Sequence, residues 1–376
     1  MKAVIKILLR VFWVFPLQKN RILFRSNHGE KYNCNPKYIS EYIERNHPNA
    51  FELIWIFKGD SYKSHKHLER THSIKVVKEE SLKGVFYMMT SGFLVDNHGV
   101  MSYVPIRKEQ VVINTWHGGG SYKKEYAKST KEHQKYMSEM YSATTAFISS
   151  CQKFSQCNLA EIYASSPQKI LPIGMPRNDL MFHGDREEIS KKVKKALGVN
   201  EDEKIILYAP TFRYGLNEKL YFLNPEKLTK ACSERFGGKF VLVNRVHPFI
   251  EKFFKDNVKD NFVTSNDYED MQELILASDV MITDYSSCMW DASLRKLPCF
   301  IYAADLDEYI GNRGFHTPIK EWPFPLSRCE DELIHNIAAF DEAAYAKDVE
   351  THHKRLGSYE KGTACKEAYE YIASRL

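Results

Sequence analysis

A chain of 376 residues with 43% hydrophobic and 27% charged residues holds enough apolar mass for two cores. Its formal net charge of +5 suits an anionic substrate or membrane surface, while dispersed basic residues without a zinc-finger or RNA-binding signature argue against nucleic acid. Eight cysteines without a Cys-x-x-Cys pair read, at this length, as free thiols and not as a disulfide framework.

The apolar run of residues 1–17 is broken by Lys6 and Arg10 and ends at Pro16, too short and too charged to span a bilayer. No small-residue cleavage site follows it. Two readings stay open. One is a helix on an anionic membrane surface, with Val4, Ile5, Leu8, Leu9, Phe12 and Phe15 toward the acyl region and Lys2, Lys6 and Arg10 toward headgroups. The other is a first helix packed on the protein's own core.

Apolar runs of strand type follow at 21–25, 51–57, 74–77, 93–95, 111–113 and 146–148, with helical patterns at 35–45 and 81–89. A second series has helices at 187–197, 225–236, 267–277 and 288–296 and strands at 204–208, 240–243, 280–283 and 297–302. Strands alternating with helices predict a mostly parallel α/β architecture. Two prolines and a glycine within 172–179 mark the interdomain connection, and 360–376 reads as a final amphipathic helix. The expected division is therefore a surface helix at 1–17, a first domain at 18–173, a second at 174–345 and a C-terminal helical segment at 346–376.

Open parallel sheets bind ligands beyond the C-terminal ends of their strands, so the polar residues there carry the chemistry. After the strand at 111–113 comes Trp116-His117-Gly118-Gly119-Gly120-Ser121. Consecutive glycines let a backbone approach a ligand and offer N–H donors, which makes His117 the candidate general base and Gly118, Gly119 and Ser121 candidate substrate contacts. In the second series, Thr211 and Arg213 follow one strand, Arg245 and His247 another, and Ser286 and Ser287 a third. Arg245 and His247 alternate and so share one side of an extended segment. Taken singly, the arginines read as surface ion pairs and the serines as helix caps; together the three strand ends would surround a pyrophosphate. Asp305 and Asp307 have the spacing of a metal pair, but a solvated turn is the better reading, and no metal or tightly bound cofactor is assigned.

The segments TWHG (115–118), GMPRND (174–179), YAPTFR (208–213), RVHP (245–248), ITDYSS (282–287) with Asp291, and NRGF (312–315) together resemble the CDP-glycerol glycerophosphotransferase family of bacterial teichoic acid and capsule synthesis. The resemblance runs from about Phe24 to the final helix. It implies a GT-B-like fold: two Rossmann-type domains facing a central cleft, with the C-terminal helix returning to the first domain. It also implies CDP-glycerol as donor, a lipid-linked or capsular saccharide acceptor, and peripheral attachment to the cytoplasmic face of the membrane. Arg177 and Asp291 join the substrate-binding set on this ground, and His247 joins His117 as catalytic. Family polymerases often read WHGT followed closely by Leu-Lys, where this chain has Gly119-Gly120-Ser121-Tyr122-Lys123, so acceptor identity stays open. CDP-ribitol as donor, a nucleotide-sugar transferase of the same architecture, and a non-catalytic nucleotide-binding or membrane scaffold are the competing readings.

Overall fold

The computed structural model describes residues 2–101, 103–124, 135, 138–139, 142–159, 167–211, 221–246 and 262–376. The chain forms two compact units. Unit 1 comprises Met1–Gly118, Lys128–Asp179 and Tyr359–Leu376, and unit 2 comprises Gly119–Ala127 and Leu180–Ser358.

In unit 1 the strands β1 (Gln18–Arg25), β2 (Glu52–Phe57), β3 (Ile74–Lys78), β4 (Ser91–Asp96), β5 (Val111–Asn114), β6 (Ala146–Ile148) and β7 (Ile170–Leu171) lie in the order β3-β2-β1-β4-β5-β6-β7. In unit 2, β8 (Glu203–Tyr208), β9 (Lys239–Asn244), β10 (Phe262–Thr264), β11 (Val280–Thr283), β12 (Cys299–Tyr302) and β13 (Leu326–Ser327) lie in the order β10-β9-β8-β11-β12-β13. Every strand pairing in the two sheets is parallel. A parallel sheet is covered on both faces, which is why β2 is a continuous buried run from Leu53 to Phe57 and β11 is buried throughout. Both sheets are doubly wound. Their order reverses between β1 and β4 in unit 1 and between β8 and β11 in unit 2, and such reversals open crevices at the C-terminal strand ends.

Most expected elements form within a residue or two of their expected bounds. The edge strands β7, β10 and β13 were not anticipated, because two or three residues are too few to show a period. The helix expected at 267–277 starts only at Met271, because the Asp270 carboxylate accepts from the Gln272 and Glu273 N–H groups and caps it there. The helix expected at 288–296 ends at Ser293, before Lys296 turns left-handed at φ 56°.

The expected interdomain connection at 172–179 lies inside unit 1, where it receives the C-terminal segment. Gly174 sits at φ 84° with the Tyr359 carbonyl 3.1 Å from where a Cβ would stand. Glu360 accepts from Met175 N and from Asn178 Nδ2, both at 3.0 Å. Asp179 caps the last helix, Ala364–Ala373, through the N–H groups of Ala364 and Cys365. That helix packs on helix Cys34–Asn46, with Tyr369 stacked on His47 at 3.6 Å. The chain therefore re-enters unit 1 at Tyr359, not at 346, and helix Glu342–Leu356 belongs to unit 2.

The N-terminal run is an α-helix over Lys2–Leu9 continued by a 3-10 turn over Arg10–Val14. The expected apolar face is corrected at two positions: Leu9 and Phe12 pack against the unit 1 core near Tyr87, Met88 and Val104. The outward face is instead Val4, Ile7, Leu8, Val11 and Val14, between 58% and 79% exposed. Among the described residues no helix is long and apolar enough to cross a membrane. All eight cysteines are free.

Candidate active site

Three adjacent strands of unit 1 lead into the same x-His-Gly sequence. β1 runs into Asn27-His28-Gly29, β4 into Asn97-His98-Gly99, and β5 into Trp116-His117-Gly118. The three imidazoles form a row: His28 lies 4.2 Å from His98, and His98 lies 4.2 Å from His117. Trp116 covers the other side of His117 at 4.7 Å. The turns hold unusual backbone, with Asn27, His28 and Trp116 at positive φ (44°, 57° and 54°). Non-glycine residues in that region cost of order 1–3 kcal/mol each and persist where the surroundings over-determine them. Asn97 supplies part of that constraint, accepting from Asn27 N at 2.9 Å and donating to Ser26 Oγ at 3.1 Å.

His117 is solvent-exposed, and its Nδ1 lies 3.0 Å from the Asn97 carbonyl. A carbonyl only accepts, so Nδ1 carries the proton and Nε2 carries the lone pair. That is the tautomer a general base needs. The loop is fixed from below. Asn35 Nδ2 donates to the carbonyls of Thr115 and Trp116, both at 3.0 Å. Buried Arg177 donates to the His117 carbonyl at 2.7 Å. Arg177, expected to touch substrate, thus spends one donor on the loop that carries His117. Burial pushes the His98 imidazole down to about 2, with His117 and His28 adding to the effect, so the middle ring of the row is neutral. His28 and His98 were missed as site residues; the thrice-repeated x-His-Gly after predicted strands was the available signal.

Immediately after Gly118 the chain enters unit 2. The expectation that Gly119 and Ser121 meet a ligand is corrected. A Cβ on Gly119 would stand 2.1 Å from Trp290 Cδ1, so this glycine exists for packing. Ser121 is fully buried, and its carbonyl accepts from Thr317 Oγ1 at 2.6 Å. Lys123 forms a bridge with Phe315, and Lys124 N donates to the Gly314 carbonyl, so the NRGF segment anchors this strap within unit 2.

At the unit 2 switch point, buried Asp284 ties two strand ends together. Its carboxylate accepts from Thr211 N at 2.9 and 3.0 Å and from Tyr285 N at 2.5 Å. Ser286 and Ser287 are half-exposed beyond it. Ser287 stands at the entry of helix Cys288–Ser293 without capping it through its side chain, which leaves the capping reading unsupported. Asp291, expected at the donor, is buried and accepts from Gln272 at 2.9 Å. Arg245 is corrected as a phosphate clamp: its guanidinium donates to the carbonyls of Ser265, Tyr268 and Glu269. Three carbonyls of one loop thus take three of the five guanidinium N–H donors, and burial lowers its pKa, opposed by Asp270. Arg213 and His247 lie outside the described residues. Asp305 accepts from Tyr285 and Asp307 pairs with Arg328, so the two carboxylates serve different partners. Among the described residues no group of three or more His, Cys, Asp or Glu side chains is placed to hold a metal ion.

Two doubly wound parallel α/β units define a GT-B-like enzyme architecture. The chain belongs to the CDP-glycerol:poly(glycerophosphate) glycerophosphotransferase family, whose model matches residues 7–374, and it is therefore a transferase. It is 28% identical over 382 residues to a teichoic acid poly(glycerol phosphate) polymerase of Bacillus spizizenii, covering 97% of this chain and 95% of that protein. It is 31% identical over 363 residues to a teichoic acid glycerol-phosphate transferase of Staphylococcus aureus, covering 92% and 91%. Among solved structures it is similar to the wall teichoic acid polymerase TagF, with a TM-score of 0.83 at 25% identity over 99% of this chain and 93% of that one.

Proposed function

We propose that the enzyme transfers glycerol phosphate from CDP-glycerol to a hydroxyl of a lipid-linked or polysaccharide acceptor, in teichoic acid or capsular polymer synthesis at the cytoplasmic face of the membrane. The observation that carries this reading is the exposed His117 imidazole, with Nδ1–H committed to the Asn97 carbonyl and a basic Nε2. Nε2 takes the proton of the acceptor hydroxyl, and that oxygen attacks the phosphorus bonded to glycerol. The bond from this phosphorus to the bridging oxygen breaks, and CMP leaves. A positioned base contributes about 10²–10⁴-fold to such a step. Thr211, Ser286 and Ser287, at the unit 2 switch point, are assigned to the pyrophosphate, with donor groups offsetting the developing charge. Arg213 and His247 keep the donor-site and catalytic roles their sequence motifs suggest. No resident cofactor is assigned, and a chelator is expected to leave donor binding intact.

The test is a donor screen. CMP release from CDP-glycerol, with CDP-ribitol and UDP- or GDP-sugars as competitors, separates the phosphotransferase from a sugar transferase. His117→Ala is expected to bind CDP-glycerol nearly as well as the parent and to lose transfer. Near-normal CMP release by that variant in the presence of acceptor would remove His117 from the role of base.

A further inference from the structure

Unit 1 contains a second feature that the transfer reaction does not use. A cavity of about 560 Å³ opens between the N-terminal helix and the segment joining β4 to β5, a volume typical of small-molecule sites. Lys6, Arg10, Arg107, Lys108 and Lys169 line it, against one carboxylate, Glu139. None of the five cations forms an ion pair with a described carboxylate. Lys169 spends one donor on the Thr144 carbonyl. Arg107 donates to the carbonyls of Phe12 and Phe15, both at 2.9 Å, and so fastens the N-terminal segment to the cavity wall. The Trp13 ring lies beside two of the cations, 5.3 Å from Arg10 and 6.0 Å from Arg107.

The residues that supply Lys6 and Arg10 also supply the exposed apolar face of Val4, Ile7, Leu8, Val11 and Val14. Among the described residues this apolar face stays largely uncovered, and beside a basic cavity it matches the layered chemistry of a bilayer surface. Insertion of those side chains among acyl chains brings the cavity mouth to the level of the phosphates. Lysine and arginine stems remain in the apolar layer while their charges reach the headgroups. We infer that this cavity is a binding site for the phosphate of an anionic membrane lipid, seated among Lys6, Arg10, Arg107, Lys108 and Lys169. The inference rests on the reading that the enzyme works at a membrane surface and adds to it a defined headgroup site. The same β4–β5 segment contains His98 near its start, so an occupied site lies on the loop that supports the proposed base.

The test uses the full chain and short-chain dihexanoyl phosphatidylglycerol as probe, with Trp13 emission as readout and Trp13→Phe as the blank. A saturable change is expected with phosphatidylglycerol and not with the phosphatidylcholine analogue. The triple variant Lys6→Gln, Arg10→Gln, Lys108→Gln removes three charges that make no hydrogen bond to the backbone. It is expected to raise the half-saturating concentration on the order of 100-fold, from the usual contribution of a basic residue near an anionic surface. Lys63→Gln, Lys78→Gln, Lys83→Gln, an equal loss of charge elsewhere on unit 1, is expected to leave it nearly unchanged. Equal loss in both triple variants, equal response to phosphatidylcholine, or saturation by inorganic phosphate at the same concentration would overturn the site. CMP release with a water-soluble acceptor is expected to survive the first triple variant. Failure of that reaction in the parent protein sinks the proposed function and leaves the lipid result standing.

Discussion

His98 and His117 stack with ring centroids 4.2 Å apart and planes 7° from parallel. The exposed His117 ring thus rests on a second imidazole that burial keeps neutral, its pKa pushed down to about 2. A neutral neighbour orients the ring without competing for its proton and without the repulsion a charged one would bring.

Aromatic pairs contribute about 0.5–1.5 kcal/mol beyond buried area, so loss of this one should cost about 2–10-fold in kcat if it is spent on orientation. His98→Ala is expected to show that loss with the KM for CDP-glycerol unchanged. His98→Phe, which keeps a stacking face, is expected to recover most of it and to leave the pH profile of kcat in place. Equal damage from both variants would assign His98 to folding and not to orientation of the base.

Arg177 holds the same loop by its main chain, through the 2.7 Å bond to the His117 carbonyl and a 3.2 Å contact to Cys34 Sγ. Removing a donor from a buried acceptor costs about 1–3 kcal/mol. Arg177→Ala is expected to lower stability by that amount in urea titration and to reduce kcat more than donor affinity. Arg177→Lys lacks the planar fork and should recover little of either. An Arg177→Ala variant that loses CDP-glycerol binding while keeping its stability would return this side chain to the substrate.

The parallel sheets and the polar turns at their strand ends were legible in the sequence, because buried parallel strands are continuous apolar runs and the turns that interrupt them fall at the strand ends. What was not legible is where long polar side chains spend their donors. Arg245 follows β9 as a phosphate-binding arginine would, yet its fork is absorbed by the carbonyls of 265, 268 and 269, a pairing across a loop that no local pattern encodes. Gly119 and Gly120 look like a ligand cradle, and only the positions of Trp290 and Tyr122 reveal the packing constraint. The segment 174–179 reads as a linker because proline and glycine punctuate it; its partners are residues 359–365, brought in from the far end of the chain.

Acid stability follows from buried neutral histidines. Burial depresses His352 to about 3, helped by His353 and Arg355, and depresses His353 to about 4. His352 Nδ1 accepts from Arg355 at 3.0 Å while Nε2 meets the Tyr122 hydroxyl at 3.0 Å, so a second ring proton has no place to go. Above pH 6.5 neither state is charged and these groups leave stability unchanged. Below it the unfolded chain binds protons that the folded one does not, so stability falls with falling pH by about 1.4 kcal/mol per unit per histidine until the folded pKa is reached. His352→Gln is expected to flatten the slope of unfolding free energy between about pH 5 and 6.5 by one such proton. An unaltered slope would mean that the ring is protonated in the folded state.

The tightest steric relationship in the transfer from unit 1 to unit 2 is between Gly119 and Trp290. Trp290 is fully buried, and its ring lies 4.2 Å from His353, so it has little room to withdraw from a Cβ placed 2.1 Å from Cδ1. Overpacking of this kind costs about 1–3 kcal/mol when the core yields and more when it does not. Gly119→Ala is therefore expected to be destabilised by at least that range in urea titration. It should also lose kcat, because Gly119 follows His117 by two residues and any displacement passes to the base through Gly118. Trp290→Leu opens space at a cost of its own, and in the double variant the alanine methyl has somewhere to go. The two changes are expected to be non-additive, the pair being more stable than the sum of the single effects predicts by about 1 kcal/mol or more. Strict additivity would show that Gly119 is required for its backbone freedom and not for its contact with the indole.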